Sequence, residues 1–176
     1  GFLTSNTPVH MYWGKRLEKT PDINTLFIIP YKWPRSFCVV DGTTKDGDIF
    51  SRESLTMEFS TFGSSDLREP TFHAEYKDGS TVSDFEYKSY KITNGKKGIE
   101  GLPATYSEND GEAQTLEVTL TDKLTGLDII LQYGVFDKLN AITRNIRCEN
   151  HGENRAVIDR ILSASVDFKT DKFDMI

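Results

Sequence analysis

The sequence predicts an all-β protein, an antiparallel β-sandwich with little helix. Three observations carry that expectation. Apolar residues recur with a period of two in several runs, as on strands with one buried face. Turn-forming clusters separate these runs at short intervals. No window of about 12 residues offers the i, i+3, i+4, i+7 apolar stripe of a capped helix.

The clearest strands lie in the second half of the chain. Leu116, Val118 and Leu120 alternate with Glu117, Thr119 and Thr121, and Leu127, Ile129, Leu131 and Tyr133 alternate with Asp128, Ile130, Gln132 and Gly134. Between them Asp122-Lys123-Leu124-Thr125-Gly126 forms a turn whose glycine supplies a positive φ, so the pair reads as a hairpin. A third run, Ala141 to Glu149, sets Ile142, Arg144, Ile146 and Cys148 on one face. Asn150 to Asn154 then turns the chain into a run from Val157 to Phe168. Thr115 to Phe168 therefore reads as a meander of four consecutive antiparallel strands.

The first half is more broken. Leu55, Met57 and Phe59 alternate with Thr56 and Glu58, and Phe72, Ala74 and Tyr76 with His73, Glu75 and Lys77 before the turn Lys77-Asp78-Gly79-Ser80. Phe85 to Ile92 is a further strand, ended by Asn94-Gly95-Lys96-Lys97-Gly98. Two segments do not fit. Leu17 to Ile49 is punctuated by Pro21, Pro30 and Pro34, carries Phe27, Tyr31, Trp33 and Phe37, and reads as a long aromatic loop. Ser107 to Glu112 reads as a solvated acidic tip.

Size and charge bound the function. A chain of 176 residues favours one domain, spanning 1–176. The net charge of −6 argues against nucleic acid or an anionic membrane as partner, and no apolar stretch of about 18 residues is present. Two cysteines far apart, Cys38 and Cys148, do not make a disulfide framework and read as reduced thiols of a cytoplasmic protein. Both ends, Gly1-Phe2-Leu3 and Phe173 to Ile176, read as cut from a longer polypeptide.

The residues offer no autonomous catalytic site. Hydrolysis of a glycoside with retention needs two carboxyl groups about 5–5.5 Å apart across a sugar ring. The chain has 27 acidic residues, and spacing singles out no pair. Asp66, Arg68 and Glu69 read as a loop ion pair entering a strand at Pro70, and Asp167 and Asp171 as turn residues. His10, His73 and His151 are dispersed, so neither a metal centre nor a mutarotase-like His/Glu acid–base pair is expected, and no cofactor. Gly95 to Gly98 lacks the spacing of a phosphate loop, and Cys38 has no evident base beside it. The candidate substrate-binding residues are Trp33, Arg35 and Asp41 on the aromatic loop. An aromatic ring can stack on a sugar's C–H face while Arg and Asp bond its hydroxyls. The same residues equally suit a plug at the end of the sandwich or a subunit contact.

Four motifs, in order, carry a resemblance: Tyr12-Trp13-Gly14-Lys15-Arg16, Asp66-Leu67-Arg68-Glu69-Pro70, Gly101-Leu102-Pro103-Ala104-Thr105-Tyr106 and Leu162-Ser163-Ala164-Ser165-Val166-Asp167-Phe168. From about Pro8 to Ile176 the chain resembles the N-terminal domain of bacterial family-36 α-galactosidases. The resemblance implies a galactose-mutarotase-like supersandwich. It implies a C-terminal catalytic (β/α)8 barrel, absent here, whose pair of aspartates cleaves terminal α-linked galactose with retention. It also implies a galactoside substrate such as melibiose or raffinose, a homo-oligomer (tetramer or dimer), and a loop, here Leu17–Ile49, lent to a neighbour's active site. The match is poorest in that loop. Family members place an acid soon after the Pro-Arg pair, whereas Pro34-Arg35-Ser36-Phe37 is followed only at Asp41. Thr4–Val9 also departs from the pattern. A free-standing carbohydrate-binding module is the alternative expectation.

Overall fold

The computed structural model describes residues 7–12, 17–18, 40–43, 49–52, 55–103 and 105–166, with backbone alone for 40–43 and 49–50. Among the described residues there are eight strands: β1 (Val40–Thr43), β2 (Ile49–Ser51), β3 (Phe72–Tyr76), β4 (Glu86–Asn94), β5 (Gln114–Thr121), β6 (Leu127–Phe136), β7 (Ala141–Asn150) and β8 (Ala156–Ile161). Every ladder between them is antiparallel: β1–β2, β3–β8 and the four-stranded sheet β4–β5–β6–β7. A 3-10 turn, Asp137–Leu139, links β6 to β7 and ends on Asn140 in the left-handed region.

Two layers meet at an apolar core. From the four-stranded sheet come Leu120, Leu127, Ile129 and Leu131; from β3 and its flanks come Phe59, Phe72, Ala74 and Phe85. The three phenylalanines form a triangle, with Phe72 and Phe85 edge to face at 5.3 Å and 89° and Phe59 at 5.9 Å from each. Fully burying each such side chain is worth roughly 1.5–3 kcal/mol, so this cluster is what holds the layers together.

The β5–β6 hairpin forms as the alternation predicts, with Leu120 opposite Ile129 and Leu116 opposite Tyr133. Gly126 has φ +76°, and a Cβ there would lie 2.7 Å from the Cα of Gly152. Only glycine serves both the turn and this close approach.

The meander itself needs correction. Strands β5, β6 and β7 are consecutive, but the fourth strand of the sheet is β4, and β8 leaves to pair with β3. The β7–β8 turn folds back on the β5–β6 turn, where the His151 amide donates to the Gly126 carbonyl at 2.9 Å, and it is closed by Asn150 bonds to Asn154 and Gly152. Released from the first sheet, β8 completes the second layer by setting Ile161 beside Phe72 and Ile158 beside Ala74. Among the described residues β8 ends at Ile161, and Asp167, Phe168 and Asp171 lie outside them.

Two further expectations are corrected. Leu55–Phe59 is not a strand but a bent segment holding one bridge, Met57 to Val9, because Glu58 is buried as well as its apolar neighbours. The aromatic loop is shorter than expected at its C-terminal end, where Val40–Thr43 and Ile49 belong to the β1–β2 hairpin.

Candidate functional site

Trp33 and Arg35 lie outside the described residues, and Asp41 is the second residue of β1. The chemistry-bearing side chains that the structure brings together are others, and they fall into three groups.

The first is a buried knot around Glu58. Its Oε1 accepts a hydrogen bond from the Tyr133 hydroxyl at 2.6 Å and another from Arg144, whose second nitrogen donates to the Glu58 carbonyl at 3.0 Å. The Arg144 guanidinium lies over the Tyr133 ring, 5.1 Å from its centre. His10 Nδ1 stands 3.8 Å from Glu58 Oε2. Burial, followed by the hydrogen bond to Glu58 and its charge, pushes the Tyr133 hydroxyl well above its ordinary pKa, with Arg144 partly offsetting this. A tyrosine so raised is a donor, not a base. The knot fastens the 7–12 and 55–58 segments to β6 and β7, with the Glu58 amide donating to Pro8 and the His10 amide to Thr56.

The second group is a polar ladder on the outer face of the four-stranded sheet. Glu117 accepts from Lys97 (3.1 Å) and Gln132 (3.1 Å), and Gln132 accepts from Asn145 (2.6 Å). Asp128 accepts from Lys88 at 2.6 Å and faces His151 at 3.6 Å. Burial raises both carboxyls, but the hydrogen bonds and charges of Lys97, Gln132 and Arg147 for Glu117, and of Lys88, Thr121 and His151 for Asp128, outweigh it. Both are held below the usual carboxylate range.

The remaining buried carboxylate, Asp122, accepts from the amides of Leu124, Thr125 and Asp84. Thus the four buried carboxylates of the described residues, Glu58, Glu117, Asp122 and Asp128, each accept hydrogen bonds from structural donors. A glycosidase's acid/base needs a raised pKa, and the shifts at Glu117 and Asp128 run the other way.

The third group is the loop of residues 60–71. Ser60, Thr61, Ser64, Ser65 and Thr71 are buried and bond one another, and Ser83 joins them through its carbonyl to Thr61 and its hydroxyl to Tyr76. Asp66 accepts from the amides of Arg68 and Glu69. Glu69 pairs with Arg160 of β8 at 2.6 Å, not with Arg68 as expected, because the Asx turn points the two neighbouring side chains apart. The loop is thereby tied to β8 and, through Ser83, to the lead into β4. His73, on β3, stands 3.3 Å from Asp159 and edge-on to Phe62. Cys148 is half-buried with its thiol pushed up, first by burial and then by Glu149 and Asp128, which makes it a packing residue.

Beside the Glu58 knot the inner face of the sheet opens into a groove of about 1650 Å³. Leu116, Val118, Leu131, Val135 and Ile142 form its floor. The 8–12 segment and the 110–114 loop are its walls.

Comparison with known proteins places this architecture. A sequence profile of the glycosyl hydrolase family 36 N-terminal domain matches residues 6–176. The α-galactosidase AgaA of Geobacillus stearothermophilus is 40% identical over 167 residues, covering 95% of this chain and 22% of AgaA. The bifunctional α-galactosidase/sucrose kinase AgaSK of Mediterraneibacter gnavus is 30% identical over 168 residues, 96% of this chain and 17% of AgaSK. The crystal structure of AgaA superposes with a TM-score of 0.82 and 38% identity over 97% of this chain and 23% of AgaA. A variant of AgaA in complex with raffinose matches with a TM-score of 0.81, 38% identity, 96% of this chain and 23% of that one. The chain spans about a fifth of the length of these relatives. By profile, sequence and fold alike, the chain belongs to the glycosyl hydrolase family 36 N-terminal domain family.

Proposed function

We propose that this chain is the non-catalytic N-terminal domain of a retaining α-galactosidase that removes terminal α-linked galactose from oligosaccharides such as melibiose and raffinose. The observation that supports this most is the superposition on AgaA over 97% of this chain but only 23% of AgaA. The buried carboxylates agree with it, since each is held by donors of the scaffold. In this reading residues 1–176 form one domain of a cytoplasmic homo-oligomer. Residues 17–49 border a neighbouring sugar pocket, with Trp33 stacking on galactose and Arg35 and Asp41 bonding its hydroxyls. A catalytic barrel follows in the full-length enzyme and supplies the chemistry.

The test uses the chain alone and a chimera in which it replaces the matched segment of AgaA. The expected result is no turnover of a chromogenic α-galactoside and no calorimetric binding of raffinose by the chain, with activity in the chimera. Turnover by the chain would make it an enzyme in its own right. Raffinose binding by the chain, with an inactive chimera, would make it a carbohydrate-binding module.

A further inference from the structure

The sequence contains one Asn-Gly pair, Asn94-Gly95, at the point where β4 ends. Asparagine is chemically least durable before glycine, which has no side chain to shield its amide nitrogen from the preceding side chain. Ring closure there forms a bond between the Gly95 nitrogen and Asn94 Cγ, breaks the Cγ–Nδ2 bond and expels ammonia. Water then opens the succinimide to aspartate or isoaspartate. The turn favours glycine all the same: Gly95 has φ +79°, which strains any residue with a side chain, and a Cβ there would lie 2.8 Å from Asp110 Oδ1.

The fold withholds both reacting groups. Asn94 is paired with Gln114 in the extended backbone of β4, and ring closure needs the chain to rotate out of that conformation. Gly95 is buried, and its N–H donates to two carbonyls, Ala113 at 2.8 Å and Asp110 at 3.1 Å. Thr115 Oγ1 donates to the Gly95 carbonyl at 2.7 Å and fixes the other side of the residue. Both accepting carbonyls belong to the acidic turn of residues 108–113, whose hydrogen bonds centre on Glu112. One Glu112 carboxylate oxygen accepts from the Glu108 amide at 2.8 Å and the other from Asn109 Nδ2 at 2.9 Å, while the Glu112 amide donates to the Asn109 carbonyl at 3.2 Å. We propose that Asn94 is a latent deamidation site, and that the 108–113 turn, stapled by Glu112, is the guard that keeps the Gly95 nitrogen from attacking it. Conversion adds a negative charge to an already acidic end of the sheet and, as isoaspartate, an extra backbone carbon where β4 pairs with β5.

The experiment incubates the chain in mildly alkaline buffer and follows the peptide containing Asn94 by mass spectrometry, with isoaspartate counted by enzymatic methylation. In the folded chain conversion should run about thirtyfold slower than in guanidinium chloride, as for chemistry that waits on local opening. Glu112→Ala removes both carboxylate bonds and should raise the folded rate about tenfold, with faster hydrogen exchange at the Gly95 amide and unchanged exchange at Leu120 and Ile129. A folded chain that converts as fast as the denatured one would overturn the proposal. So would a Glu112→Ala chain in which Asn94 converts no faster than in its parent. A rise accompanied by faster exchange at Leu120 and Ile129 would also overturn it, by assigning the protection to the whole fold rather than to the turn.

Discussion

Strand β6 runs under two territories of the same sheet face. At one end Leu127, Ile129 and Leu131 disappear beneath the phenylalanine triangle; at the other Tyr133 and Val135 meet the Glu58 knot and the open groove. The strand, the period and the residue types are continuous across both. The difference lies in what packs above, and it teaches that alternation encodes a face while cover is a separate, non-local property. The closed end belongs to this domain's own stability, and the open end leaves Val135 and Ile142 in contact with solvent.

Substitutions can break that contrast, beginning with the closed end. Phe72→Ala removes a ring from the centre of the triangle and should cost about 4 kcal/mol, read as a lower urea midpoint at unchanged m-value. At the boundary, Arg144→Met strands the buried Glu58 carboxylate and should cost about 3 kcal/mol, whereas Glu58→Met combined with Arg144→Met should cost distinctly less. A double-mutant cycle by chemical denaturation checks both. Gly126→Ala, strained at φ +76° and forced against the Gly152 backbone, should cost about 2 kcal/mol without altering the far end of the sheet. The smallest effect is on the outer face. Because the Glu117 and Asp128 carboxyls titrate below their unfolded values, the stability they add is complete above about pH 5 and fades as pH falls through their lowered pKa values. Glu117→Gln should flatten that acid limb in a pH series of thermal melts.

The legible part of the molecule was the local part. Leu116, Val118 and Leu120 announce β5, and Asp122 to Gly126 announces its hairpin, because strand period and turn chemistry are short-range. The exchange of β8 from the meander to β3 was hidden, since Ile158 and Ile161 alternate in the same way whichever sheet receives them. Glu58 looked like the polar half of an alternating strand because its partners Tyr133 and Arg144 are 75 and 86 residues away. Family membership was legible from the order of four short motifs. The candidate sugar contacts rested on the composition of one loop, and Trp33 and Arg35 lie outside the described residues, so Asp41 alone has a place in the fold.

The contrast between the two territories comes down to one paired measurement, the equilibrium unfolding of Ile129→Ala and Ile142→Ala in the isolated chain. A closed end and an open end predict a loss of about 3–4 kcal/mol for the first and under about 1 kcal/mol for the second. Equal losses would mean that both ends are covered alike by this chain, and the division of the sheet face would be wrong.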